Sequence, residues 1–185
     1  MSPAVADCVG WCLFETAIGC CGIAWGESLI VGVQLPERDE DATGACMRRR
    51  FPDAPEATPP VVVDLIIARV QATLEGVRDP MLDVPLDVAR VPAFHRRVYE
   101  VTRAIPPGRT LSYGEVATRI GEPGAARAVG QALGRNPFAP IVPCHRVLAA
   151  RTGGGGFSAD GGVVTKLRLL HIEKAQLGSE PGLFD

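Results

Sequence analysis

Apolar and polar positions change rhythm along this chain. In its first third, short apolar runs separated by glycine-containing turns predict three strands of a meander, at Trp11–Thr16, Cys20–Trp25 and Leu29–Leu35. Asp39–Phe51 predicts a charged amphipathic helix. The Pro/Ala-rich stretch Asp53–Pro60 reads as a loop, and Val61–Leu74 as a helix stopped by Gly76. From Asp79 to Val88 the chain reads as extended, because Pro80 and Pro85 exclude a helix interior.

Beyond this point the pattern becomes mainly helical. A helix over Ala93–Ala104 is closed by Ile105-Pro106-Pro107-Gly108. Ser112-Tyr113-Gly114-Glu115 reads as a capping box, with the serine hydroxyl accepting from the third amide and the glutamate reaching back. The helix it starts runs to Ile120 and stops at Gly121. Glu122-Pro123-Gly124 then turns the chain into a helix over Ala125–Leu133, and the pair resembles a helix-turn-helix. A last helix is predicted over Thr165–Lys174. The expected division is an N-terminal unit at 1–88, a second unit at 89–176 and a tail at 177–185.

Length and composition fit this picture. A chain of 185 residues with 46% hydrophobic and 22% charged residues can bury a core in one or two small domains. The apolar stretch from Val9 to Trp25 lacks a basic leader, contains Glu15 and is broken by Gly19 and Gly22. It therefore reads as strands, not as a signal peptide or membrane span. A soluble, cytoplasmic protein is the expectation.

Charge changes the picture more. Residues 1–89 hold six basic and fourteen acidic side chains, whereas residues 90–174 hold thirteen basic and five acidic. The second half is thus suited to a polyanion, although arginines that only solvate helices would give the same count. The helix over Ala125–Leu133 adds a second hint. Its apolar face is Ala125, Ala128, Val129, Ala132 and Leu133, and the opposite face carries Arg127, Gly130, Gln131 and Gly134. Each glycine there costs a helix about 1 kcal/mol relative to alanine. A face of small residues with one long cation suits close approach by a nucleic-acid backbone; tight helix packing is the other explanation.

Six cysteines stand at 8, 12, 20, 21, 46 and 144. Without a secretory signal a disulfide framework is not expected. The histidines lie in the other half from the first five cysteines, so these read as small buried or half-buried thiols, with a zinc site that includes Cys8 and Cys12 the weaker alternative. Cys144 differs. It follows a proline-punctuated segment, Asn136-Pro137-Phe138-Ala139-Pro140-Ile141-Val142, and Pro143 suits the first position of a helical turn. The amides of such a turn would lower the thiol pKa. His145 and Arg146 add a base and a cation, and Glu173, on one face with Lys166, Leu169 and Leu170, could orient the base. Adjacency alone also allows a purely structural cysteine.

The run Pro143-Cys144-His145-Arg146-Val147 resembles the active-site motif of the O6-alkylguanine-DNA alkyltransferases, the methylated-DNA–protein-cysteine methyltransferase family. Ser112-Tyr113-Gly114-Glu115, Ala125-Ala126-Arg127-Ala128-Val129-Gly130, Asn136-Pro137, Gly156-Phe157-Ser158 and Lys166 through Glu173 follow in family order. The resemblance is close over about residues 90–174 and looser over the meander.

The resemblance implies a small ribonuclease-H-like α/β domain followed by a mainly helical, winged-helix-like domain. It implies single-turnover repair, in which an alkyl group moves from O6 of guanine, with O4 of thymine a second candidate, to Cys144. His145, acting through a water and supported by Glu173, would take the thiol proton. Asn136 would hold the segment, and Tyr113 would donate a proton toward the departing guanine. Pro143, Val147, Phe157 and Ser158 would form the substrate pocket. Arg127, with Ala126, Gly130 and Gln131, would meet double-stranded DNA in the minor groove, Arg127 filling the place of a flipped nucleotide. The implied protein is a monomer needing no cofactor, and since its histidine and cysteine pattern does not match the zinc site that some members have, no structural metal is expected.

This chain departs from the family in having Phe157 where tyrosine is frequent, and in extra length at Ala159-Asp160. Three rivals remain at the level of sequence. An alkyltransferase-like lesion binder would lack the reactive cysteine. A helix-turn-helix regulator would need more base-reading side chains on the Ala125–Leu133 helix. A cysteine hydrolase would turn over repeatedly and would have no need of a basic face.

Overall fold

The computed structural model describes residues 7–149 and 162–175. The fold is mixed α/β. Strands β1 (Gly10–Thr16), β2 (Gly19–Trp25) and β3 (Ile30–Gln34) form an antiparallel sheet in sequence order, the expected meander. The β1–β2 turn needs Gly19, whose φ of 126° lies where a side chain would be strained. Helix α1 (Glu40–Arg50) starts at Asp39, whose carboxylate accepts from the Ala42 amide at 2.8 Å. It lies close against β2 at Gly22, where a Cβ would stand 2.7 Å from the Met47 side chain. Helix α2 (Val61–Leu74) covers the other side with Val63, Ile66, Ile67, Val70 and Leu74 buried. The segment after it is irregular, and at Leu86 it runs beside Ile30 of β3.

In the second half, α3 (Ala93–Arg103) leads to β4 (Leu111–Ser112), α4 (Tyr113–Arg119) and α5 (Ala126–Gly134). The capping box forms as the sequence predicts: Ser112 Oγ accepts from the Glu115 amide at 3.1 Å, and the Ser112 amide donates to the Glu115 carboxylate at 2.6 Å. Tyr99 ties α3 to α5 by donating its hydroxyl to Ala132 O at 2.9 Å. One pairing was not foreseen. β5 (Val147–Leu148) runs parallel to β4, which sets the start of α4 beside the Cys144 turn.

Two further details depart from the sequence expectations. α5 begins at Ala126, one residue late. The last helix, α6, spans Val163–Ile172, so Glu173 caps it instead of lying inside it; Lys174, at φ 51°, stops the helix there. The core has two main clusters, one beneath the meander and α2, the other among α3, α4, α5 and the Cys144 segment. Ile141 and Leu169 from the second half complete the first cluster. The two halves therefore share buried surface.

Candidate active site

Cys144 opens a single 3-10 turn, Cys144–Arg146, and is 5% exposed. Pro143 is buried and caps this turn; it is not the turn's first residue, as the sequence suggested. The expected lowering of the thiol pKa is also corrected. Burial pushes the Cys144 thiol up, and the Asn136 side chain, the Lys166 charge and nearby backbone amides only partly oppose it. A three-residue turn offers little dipole against full desolvation. The resting group is a neutral thiol, so attack requires that its proton be taken.

A base able to do this is held by sequence-distant parts. His145 is 2% exposed, and its Nε2 lies 2.8 Å from Glu173 Oε1. Burial lowers the His145 pKa against the opposing pull of Glu173, leaving a neutral ring. The ionised carboxylate fixes the tautomer: Nε2 carries the proton and donates it to Glu173. The other nitrogen, Nδ1, is buried and has no hydrogen-bond partner among the described residues. It is the free acceptor of the pair.

Glu173 is held from several sides. Arg146 donates from Nε to both carboxylate oxygens, at 3.1 and 3.0 Å, and from Nη2 to Oε1 at 2.8 Å. The Gly108 amide adds a bond of 3.2 Å, and Arg146 Nη1 donates to Ile105 O at 2.6 Å. Burial alone would raise the Glu173 carboxyl, but the hydrogen bonds from His145 and Arg146 outweigh it and hold the group at about 2.

The sequence named Glu173 but not its true clamp, Arg146. It likewise gave Lys166 no task. Lys166 is 1% exposed; its ammonium donates to Val147 O at 2.6 Å and to the Tyr113 hydroxyl at 3.4 Å. A lysine spaced with Leu169, Leu170 and Glu173 on an apolar face was the available signal of a buried charge. Tyr113 is the first residue of α4 and half-buried; burial, with Cys144 adding to it, raises its phenol pKa and keeps it a proton donor. The buried Val147 carbonyl is the acceptor for Lys166, a contact the sequence did not show.

Asn136 braces the loop that carries the thiol. Its Nδ2 donates to Val142 O at 2.8 Å, and its Oδ1 accepts from the Phe138 amide at 3.0 Å. Beside it lies a cleft of about 330 Å³ bordered by Cys144 and Asn136 from the second half and by Gln34, Glu37 and Arg50 from the first. Phe157 and Ser158, expected on the pocket wall, lie outside the described residues.

On α5, Val129, Ala132 and Leu133 are buried while Arg127, Gln131 and Gly134 are exposed; Ala126 and Gly130 are half-exposed. Packing does not explain the glycines. A Cβ at Gly134 would meet nothing within 4 Å, and one at Gly130 would only touch the Tyr113 ring at 3.8 Å. Arg127 makes no ion pair among the described residues. Among those residues too, no three His, Cys, Asp or Glu side chains converge as a metal site, and no helix is long and apolar enough to cross a membrane.

A buried thiol beside a base held by a carboxylate places the protein among those built around a candidate cysteine nucleophile. Comparison with known proteins narrows this. The family model described as 6-O-methylguanine DNA methyltransferase, DNA binding domain, matches residues 93–175. A methylated-DNA–protein-cysteine methyltransferase from Mycobacterium tuberculosis is 50% identical over 103 residues, 56% of this chain and 61% of that relative. Another, from Methanothermobacter thermautotrophicus, is 32% identical over 156 residues, 84% of this chain and 80% of the relative. The crystal structure of the Mycobacterium tuberculosis O6-methylguanine methyltransferase superposes with a TM-score of 0.73 at 34% identity, covering 95% of this chain and 99% of that one. A structure from the same organism in complex with DNA gives 0.71 at 34% identity, covering 90% and 93%. The chain belongs to the methylated-DNA–protein-cysteine methyltransferase family. Its sequence match spans less than two thirds of the Mycobacterium tuberculosis relative.

Proposed function

We propose that this protein repairs DNA directly, moving an alkyl group from O6 of guanine, and from O4 of thymine as a secondary substrate, onto Cys144. The observation that carries this reading is the buried Cys144 thiol followed directly in the chain by a histidine whose Nε2 is held by Glu173 and whose Nδ1 has no hydrogen-bond partner among the described residues. In the step, Cys144 Sγ forms a bond to the alkyl carbon as the carbon–O6 bond breaks. His145 Nδ1 takes the thiol proton through a water, and Tyr113 supplies a proton to the departing guanine. The proton lost by the thiol balances the one gained by the base, so neither an oxidant nor a reductant is consumed. Lys166, close to the Tyr113 hydroxyl, steadies the charge left there. The product is a thioether, which water does not cleave, and each molecule acts once.

Chemistry on a stacked base requires that the base leave the duplex, at a cost of a few kcal/mol. In this reading α5 enters the minor groove with its bare glycine face against the backbone, and Arg127 occupies the gap left by the flipped nucleotide. Pro143, Val147, Phe157 and Ser158 border the pocket for the extruded base. The relative solved with DNA and the exposed cation on α5 support this. The finer architecture goes with it: a ribonuclease-H-like unit over 1–88, a winged-helix-like unit over 89–176 that carries the site, and a tail at 177–185. The working form is a monomer in the cytoplasm, where a DNA substrate would be met.

Stoichiometry tests the reading. Duplex DNA carrying O6-methylguanine, supplied in tenfold excess, should lose one methyl per protein chain and then react no further; continued turnover would instead indicate a hydrolase. Arg127→Ala should slow repair of the duplex at least tenfold while leaving reaction with free O6-benzylguanine within about twofold, since only the duplex must be opened. Equal losses on both substrates would remove the insertion role.

A further inference from the structure

Arg50 is the last residue of α1, in the first half of the sequence, far along the chain from the Cys144 turn. Its neighbours Arg48 and Arg49 are exposed, but Arg50 turns inward. One guanidinium nitrogen, Nη1, donates to Val33 O and to Gln34 Oε1, both at 2.9 Å. The other, Nη2, donates to Pro137 O at 3.2 Å, a residue 87 positions away. The same Pro137 carbonyl accepts from the Val33 amide at 2.8 Å. The first half thus grips the Asn136-Pro137 turn with two donors on one oxygen.

Space has been kept for this grip. A Cβ at Gly32 would stand 2.8 Å from Arg50 Nη2 and 2.8 Å from Phe51 Cζ, so a larger residue there would displace the guanidinium. The turn being held is the one whose Asn136 side chain bonds the Val142 carbonyl and the Phe138 amide, directly ahead of Cys144. Arg50 and Cys144 also border the same cleft of about 330 Å³. Burial lowers the Arg50 pKa, as expected of a guanidinium largely withdrawn from water, yet its three acceptors are neutral oxygens. Among the described residues no carboxylate partners it, which points to the geometry of the fork and not to an ion pair.

We infer that Arg50 is a positioning residue for the transfer reaction, acting through the Asn136-Pro137 turn to fix where Cys144 stands. The inference rests on the proposed alkyl transfer. Its chemical sense is that a displacement at carbon tolerates little misplacement of the sulfur, and two donors, Arg50 of α1 and the Val33 amide of β3, remove freedom from a proline-rich loop.

Because the protein reacts once, a single-turnover experiment separates positioning from folding. The amplitude of methyl transfer counts folded molecules, and the rate constant reports how well each is arranged. Arg50→Ala and Gly32→Ala should react to full amplitude with O6-methylguanine DNA while the limiting rate constant falls about tenfold. The DNA concentration giving half the limiting rate should stay within twofold. Arg50→Lys, with fewer donors in reach of the three acceptors, should fall between, and Arg49→Ala should match the wild type. A reduced amplitude with an unchanged rate constant in all three Arg50 and Gly32 variants would show a purely structural role and overturn the inference. So would wild-type rates in Arg50→Ala. Failure of the wild-type protein itself to take up methyl would instead overturn the proposed function.

Discussion

Glu173→Ala is expected to destabilise the fold by about 3–5 kcal/mol, the range for removing one member of a buried ion pair. The reason is specific. Three contacts of Arg146 and the His145 Nε2 bond all converge on this carboxylate, and both partners are nearly inaccessible to water. Removing it strands a guanidinium in the core with Ile105 O as its one remaining partner among the described residues. For a chain of this size the loss corresponds to a fall in Tm of about 6–20 °C, measurable by differential scanning calorimetry. The pH dependence follows from the carboxyl pKa of about 2 in the fold against an ordinary 4.5. A depressed carboxyl stabilises the fold fully above 4.5, and this contribution, about 3 kcal/mol, is lost as pH falls from 4.5 toward 2. Glu173→Gln, which cannot ionise, should show a flatter acid limb in that window. An unchanged Tm in Glu173→Ala would mean that the network is not the buried pair described.

The second large effect concerns His145. Glutamine at this position can still bond Glu173 but cannot take a proton. His145→Gln is expected to slow single-turnover transfer by about 10²–10⁴, the usual contribution of a positioned base. The pH profiles should also separate. Burial holds the His145 pKa below 6.5 and the Cys144 thiol above 9.0. The wild type should therefore keep a flat rate through neutrality and lose it only in acid below 6.5, as the base becomes protonated. In His145→Gln solvent hydroxide must remove the thiol proton, so the rate should climb steadily through neutral and mildly alkaline pH. Parallel flat profiles would exclude His145 as the base.

Much of this molecule was legible in the sequence where local chemistry decides structure. The meander followed from glycine turns between short apolar runs, and Val61–Leu74 from its spacing and the glycine after it. The Ser112 capping box is a contact between neighbours in the chain. The residues around Cys144 could be named because they form a linked series of short motifs. What could not be read was how distant segments meet. Nothing local announces that Leu111 and Val147 pair in parallel, which brings Tyr113 to the site. In sequence Arg50 is the last of three consecutive arginines at a helix end, and only the fold shows that it alone turns inward. The thiol pKa went the wrong way for a related reason: the sequence shows a turn and its dipole, but burial is a property of the whole core. On α5 the glycines fitted either a packing surface or an open one, and the empty space beside Gly134 favours the open one.

The central claim is that a methyl group ends on the sulfur of one cysteine among six. The most direct test is to react the protein with duplex DNA containing O6-methylguanine, digest it, and weigh the cysteine-containing peptides. The Cys144 peptide alone should gain the mass of one CH2, in proportion to guanine restored, and Cys144→Ala should gain nothing. A methyl found on another cysteine, or restored guanine with the Cys144 peptide unchanged, would contradict it.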